Sequence, residues 1–150
     1  MNQKILIVDD SALSRRTLRR ILESAGYEAV EADYGMTAPE MYFLEKPGLV
    51  LLDLVMKGMY GLDVLVKLRE MDQEARVVVA TADIQSSTRK MVDEAGALGF
   101  INKPFVPEQV IAAVEAAPAA LWGPRLAWSG LERLAWRGGW LQAATGRPGR

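Results

Sequence analysis

The side chains of this sequence best suited to chemistry are carboxylates. Asp9 and Asp10 stand side by side after the apolar run "ILIV", and Asp53 follows "LVLL". Thr81 follows "VVVA", and Lys103 comes two residues after "GFI". Adjacent carboxylates repel, and a third on the same rim raises the cost, so the arrangement calls for positive charge. Three carboxylates make a hard-oxygen site of the kind Mg²⁺ takes, with waters completing its coordination, and such a cation supplies that charge. Lys103 adds an ammonium point charge and Thr81 a hydroxyl donor. Any one Asp after a strand is an ordinary turn former or helix cap. It is the set, placed at the ends of separate apolar runs, that points to a site.

Composition removes many rivals. The chain has 150 residues, half of them apolar, which suits one good core. There is no His and no Cys. Imidazole is therefore absent as base, metal ligand or phosphate carrier, and disulfides and thiolate metal sites are impossible. Chemistry must run on carboxylates, hydroxyls and lysine. A net charge of −1 gives no reason to expect nucleic acid. No apolar run approaches the roughly 20 residues of a membrane span, and the N-terminus lacks a signal-peptide pattern, so a cytoplasmic protein is expected.

The elements that must position these residues are legible as an alternation. Short β-branched or Leu-rich runs fall at 5–8, 28–32, 49–52, 77–80 and 99–101. Between them lie segments of helical spacing, such as Leu18, Ile21 and Leu22, then Leu62, Leu65, Val66 and Leu68, then Met91, Val92 and Ala95. Gly26 and Gly96 stand where helices should stop, and Pro107 and Pro118 bracket the last. Pro39 should delay or distort the start of the second helix. Three strands are almost wholly apolar, as in a parallel sheet covered on both faces. Residues 2–117 thus read as a five-fold βα domain, and in open parallel sheets ligands bind beyond the carboxyl ends of the strands, where the five polar residues stand.

The stretches "ILIVDDS", "LVLLDLVMKGMYGLDVL", "VVVATAD" and "GALGFINKPF" resemble the receiver domain of two-component response regulators, of the single-domain, CheY-like kind, over residues 2–117. The resemblance implies an α/β, doubly wound, flavodoxin-like fold with a five-stranded parallel sheet in the order 2-1-3-4-5. It implies that Asp53 is the phosphoacceptor, and that Asp10, Asp53 and the Val55 backbone carbonyl hold Mg²⁺, with Asp9 helping through water. Thr81 and Lys103 would bind phosphoryl oxygens. Thr81 would then move toward the phosphoryl group, and Phe100, at the position of the switch aromatic, would fill the space left behind. Pro104 would fix the turn that aims Lys103, commonly after a cis bond. Val55 and Asp83 would flank the path of a hydrolytic water.

The chemistry is consistent with these residue types. Attack of a carboxylate on a phosphoryl group needs in-line positioning and charge neutralisation more than a proton-transfer group. The implied donor is a phosphohistidine on a histidine kinase or phosphotransfer protein, and a chain without His cannot be its own donor. Val55 puts an apolar side chain where an amide is usual, so the resemblance also implies a long-lived phosphoryl group and an auxiliary phosphatase. The expected function is that of a response regulator without effector domain, acting through protein contacts in chemotaxis or a phosphorelay. It is not an enzyme, though it helps to catalyse its own phosphorylation and dephosphorylation. The alternative is a receiver-shaped binding module independent of phosphorylation. Phosphohydrolases with an Asp-x-Asp motif are excluded by Val55. Lys57 and Tyr60 depart from the usual Pro and Asp, and Arg15, Arg16, Arg19 and Arg20 read as a solvated helix face.

The tail breaks the pattern. Residues 119–150 hold all four tryptophans and carry five Arg against one Glu. This vocabulary is what GC-rich DNA yields in an unselected frame, and residues 118–150 are expected to lack a core of their own. A short amphipathic helix over Ala127 to Arg137 is the rival reading; membrane contact by it is not expected.

Overall fold

The computed structural model describes residues 3–33, 35–57, 59–83 and 85–117. Strands and helices alternate along them: β1 (Lys4–Val8), α1 (Ala12–Ser24), β2 (Glu28–Ala32), α2 (Ala38–Glu45) and β3 (Leu49–Leu52). A small hairpin follows, β4 (Val55–Met56) and β5 (Met59–Tyr60), then α3 (Gly61–Met71), β6 (Val77–Thr81), α4 (Ser86–Glu94), β7 (Gly99–Asn102) and α5 (Pro107–Ala116). The main sheet is parallel in the order β2-β1-β3-β6-β7. With the hairpin left out of the count, this is the expected order 2-1-3-4-5.

Successive residues of a strand face opposite sides of the sheet, and here both sides are core. Leu6, Val8, Val50, Leu52, Val77 and Val79 pack with Tyr42 of α2, Val64, Leu65 and Leu68 of α3 and Val92 of α4. Their neighbours Ile5, Ile7, Leu49, Leu51, Val78 and Ala80 pack with Leu18 and Leu22 of α1 and Val110 and Val114 of α5. That double duty is why the central strands read as unbroken apolar runs. Each such large side chain contributes roughly 1.5–3 kcal/mol by leaving water.

Helix ends follow local chemistry. The Ser11 hydroxyl caps α1 by accepting the N–H of Ser14 at 3.2 Å. Gly26 (φ +92°) and Gly96 (φ +102°) turn the chain out of α1 and α4 in the left-handed region. Pro39 lies in the first turn of α2, where its missing N–H is tolerated, behind a 3₁₀ turn at Gly35–Thr37. The hairpin was not expected from the sequence. It pairs Val55 with Tyr60 and Met56 with Met59 and returns the chain to Gly61, whose N–H donates to the Leu54 carbonyl at 2.7 Å. A Cβ at Gly61 would lie 2.3 Å from the Asp53 carbonyl oxygen, so only glycine lets α3 start this close to the end of β3.

The arginine face of α1 is divided. Arg15 and Arg19 reach across to Glu31 on β2, Nε to carboxylate oxygen at 2.9 and 2.6 Å, and Arg19 also meets Glu23 at 3.0 Å. Arg16 and Arg20 are exposed, as a solvated face requires. No helix among the described residues is long and apolar enough to cross a membrane. The tail expectations, including the helix over 127–137, fall outside the described residues.

Candidate functional site

The sheet ladder runs past the ends of its strands and carries the reactive residues with it. The N–H of Asp9 donates to the Ala32 carbonyl at 3.2 Å, that of Asp53 to the Val8 carbonyl at 2.9 Å, and that of Lys103 to the Thr81 carbonyl at 3.0 Å. Three side chains far apart in sequence are thus held side by side by backbone bonds. Asp10 sits at the head of α1, and its Oδ2 accepts the N–H of Lys57, next to the hairpin strand β4, at 2.9 Å.

One carboxylate oxygen from each of Asp9, Asp10 and Asp53 lies within 4.8 Å of the others. Asp9 and Asp53 are buried, 1% and 4% exposed, while Asp10 is half-buried and opens the cluster to solvent. Lys103 Nζ stands 2.9 Å from Asp9 Oδ2 and 3.1 Å from Asp53 Oδ2. Part of the positive charge the carboxylates require is therefore a resident ammonium. Asp9 is held further by the N–H of Ser11 on its Oδ1 at 2.9 Å. Asp53 Oδ1 accepts the N–H of Val55 at 3.3 Å.

Titration reflects this crowding. Burial pushes the Asp9 carboxyl above its ordinary range, with the Asp53 charge adding to the shift and the Ser11 N–H and Lys103 opposing it. Burial works to lower Lys103 as well, but hydrogen bonds and charge from Asp9 and Asp53 outweigh it and hold the ammonium above the usual lysine range. Three hard oxygens around one gap, only one of their residues open to water, fit a small divalent cation. Among the described residues this is the one cluster of three or more potential metal ligands.

The remaining candidates lie on β4, β6 and β7 and the loops that follow them. Thr81 ends β6 fully buried, and its Oγ1 accepts the N–H of Asp83 at 3.3 Å. The Lys103–Pro104 bond is cis, and the ammonium also lies 5.8 Å from the Phe105 ring. Val55 projects outward, its residue 61% exposed. Phe100 of β7 is half-buried against the core and lies beneath the Arg89 guanidinium of α4, 5.1 Å from ring centre. Asp83 turns toward α4: its Oδ1 accepts the N–H of Gln85 and its Oδ2 the hydroxyl of Thr88. Sequence reasoning missed Lys57, whose backbone rather than side chain contacts the cluster, Gly61, whose lack of a Cβ admits α3, and Thr88. The Lys-Gly pair between two short apolar runs was the available signal for the hairpin; nothing marked Thr88.

Residues 5–115 match the response regulator receiver domain. The chain is 39% identical over 115 residues to the chemotaxis protein CheY of Thermotoga maritima, covering 76% of this chain and 96% of that protein. It is 36% identical over 115 residues to the sporulation initiation phosphotransferase F of Bacillus subtilis, covering 77% and 93% respectively. A solved structure, the CheX-CheY-BeF3-Mg+2 complex from Borrelia burgdorferi, aligns with a TM-score of 0.74 at 31% identity, covering 76% of this chain and 87% of that one.

Proposed function

This chain belongs to the response regulator receiver family, and from that premise we propose that it is a phosphorylation-switched regulator with Asp53 as its phosphoacceptor. The observation that carries the reading is the junction at Asp53. A buried carboxylate touches the Lys103 ammonium at 3.1 Å and shares a cluster with the oxygens of Asp9 and Asp10.

In the proposed reaction an Asp53 oxygen bonds to phosphorus as the N–P bond of a phosphohistidine breaks, and the departing imidazole takes up a proton. Asp9, Asp10, Asp53 and the Val55 carbonyl would hold Mg²⁺, which supplies neutralisation of the phosphoryl charge. Lys103 moves its ammonium from the Asp53 carboxylate to a phosphoryl oxygen, a short shift from its present position. Thr81 turns its hydroxyl to another, and Phe100 follows as the aromatic of the switch. Reversal is hydrolysis: a water oxygen bonds to phosphorus, and the bond to Asp53 breaks to return carboxylate and inorganic phosphate. Val55 governs access of that water, and an auxiliary phosphatase resets the signal. The protein is a phosphoacceptor that assists its own modification and turns over no separate substrate.

The partners follow. A histidine kinase or phosphotransfer protein donates, and an output protein reads the switch by contact in the cytoplasm, in chemotaxis or a phosphorelay. The named relatives, chemotaxis proteins and a phosphotransferase, support both pathways. The test is intact mass after incubation with acetyl phosphate and Mg²⁺. The wild type gains one phosphoryl group and Asp53→Asn gains none. Equal labelling of the two overturns the assignment and leaves the phosphorylation-independent binding module as the reading.

A further inference from the structure

The Thr81 side chain is tethered through its oxygen, and turning it about χ1 would cost that bond. Its oxygen accepts the N–H of Asp83 at 3.3 Å, and among the described residues it makes no hydrogen bond to Asp53. The role proposed for it requires the hydroxyl to turn toward the phosphoryl group. Asp83 does not hold its position alone. Its Oδ1 accepts the N–H of Gln85, the residue that precedes α4, at 3.2 Å, and its Oδ2 accepts the Thr88 hydroxyl at 3.0 Å. Thr88 lies in α4, is 5% exposed, and stands one turn before Val92, which is anchored in the core. The contacts run in series from the site, through Asp83, to a helix fixed to the sheet.

We infer that Asp83 and Thr88 form a positioning latch, in which the Thr88 hydroxyl holds the Asp83 carboxylate, the Asp83 N–H holds the Thr81 oxygen, and the latch opposes the turn of Thr81 toward a phosphoryl group. The inference rests on the reading of Asp53 as phosphoacceptor. A hydroxyl donating to a carboxylate is a charge-assisted bond, and its loss frees the Asp83 backbone without opening a cavity, because valine is close to threonine in shape. Asp83 is only half-buried, so water can replace the lost donor.

The test compares two readouts in wild type, Thr88→Val and Thr88→Ser. One is the affinity for beryllium trifluoride, a phosphoryl mimic, with Mg²⁺. The other is the χ1 rotamer of Thr81 from three-bond couplings in the ligand-free protein. Thr88→Val should bind up to about tenfold tighter, within the range expected for a hydrogen bond to a charged group, with a shifted Thr81 rotamer. Thr88→Ser, which restores the hydroxyl, should return both readouts to wild type. In a Thr81→Ala background, Thr88→Val should no longer change affinity, an outcome a merely structural role would not produce. Unchanged or weaker binding in Thr88→Val with an unshifted rotamer overturns the latch, as does a gain that persists without Thr81. Should Thr88→Val fail to fold, Asp83→Ala at its half-exposed position carries the same expectations. If the wild type ignores beryllium trifluoride, the phosphoacceptor reading falls, while the rotamer shift still decides the latch.

Discussion

The Lys103 ammonium bridges two carboxylates that follow different strands of the sheet. Asp9, Asp10, Asp53 and Lys103 meet as their positions after strands required. The reading of the sequence gave Lys103 to a phosphoryl oxygen and the missing charge to a metal ion, and to these the structure adds a pairing that the residue types did not name. Distances of 2.9 and 3.1 Å to Asp9 and Asp53 make the lysine a counter-ion first. Residue types at strand ends show who meets; they do not show who pairs, because that depends on side-chain reach. The same holds for Asp83, whose two oxygens serve α4. On the proposed hydrolysis, Val55, 61% exposed and without a polar atom, would be the side chain that controls the approach of water. Hydrolysis needs a water held in line, and a near-attack geometry lowers the barrier. Val55→Asn should therefore speed loss of the phosphoryl group about tenfold, equivalent to ~1.4 kcal/mol of barrier. The check is the dephosphorylation rate with Mg²⁺ and no phosphatase. An unchanged or slower rate removes Val55 as the gate, and with it the case for a phosphatase partner.

At the scale of elements, the strands and helices were legible because they are periodic, whereas the β4–β5 hairpin was not. Strands of two residues carry no period, and this hairpin depends on Gly61 letting the chain pass 2.3 Å, as a Cβ would measure it, from the Asp53 carbonyl. The four arginines of α1 also read alike, yet two of them tie the helix to β2 through Glu31. Burial works to raise the Glu31 carboxyl, but the bonds from Arg19 and Arg15 prevail and hold it below the ordinary carboxylate range. A depressed carboxylate stabilises the fold above its unfolded pKa, and that stability is lost as pH falls through the folded value. Glu31→Gln should thus be less stable than wild type at neutral pH. The difference should be within about 1 kcal/mol, since the pair is partly exposed and screened, and should vanish in acid below the folded-state pKa. Denaturant melts at the two pH values check this; a difference that persists in acid assigns the loss to packing instead.

For the whole molecule, the central feature is a stable sheet that ends in an unstable charge arrangement. Asp9, Asp10 and Asp53 face one resident ammonium, so any cation bound only by the folded state stabilises it by mass action. Saturating Mg²⁺, near 100 times its dissociation constant, should add about 2.7 kcal/mol and raise the melting temperature by several degrees. Asp10→Ala should remove most of that gain, and melts of the wild type indifferent to Mg²⁺ would count against the site. Lys103 follows β7, the last strand in chain order among the described residues and an edge strand of the main sheet. Asp9 and Asp53 are brought side by side by the pairing of β1 with β3, whereas their counter-ion follows a strand that joins the sheet through β6. Any state in which β7 has come away from the sheet would leave the two buried carboxylates without that ammonium, a penalty that ties the ends of β1 and β3 to the docking of β7. Opening of β7 would thus cost more than the loss of its own packing, and this edge strand and the charge balance of the site are kept or lost together.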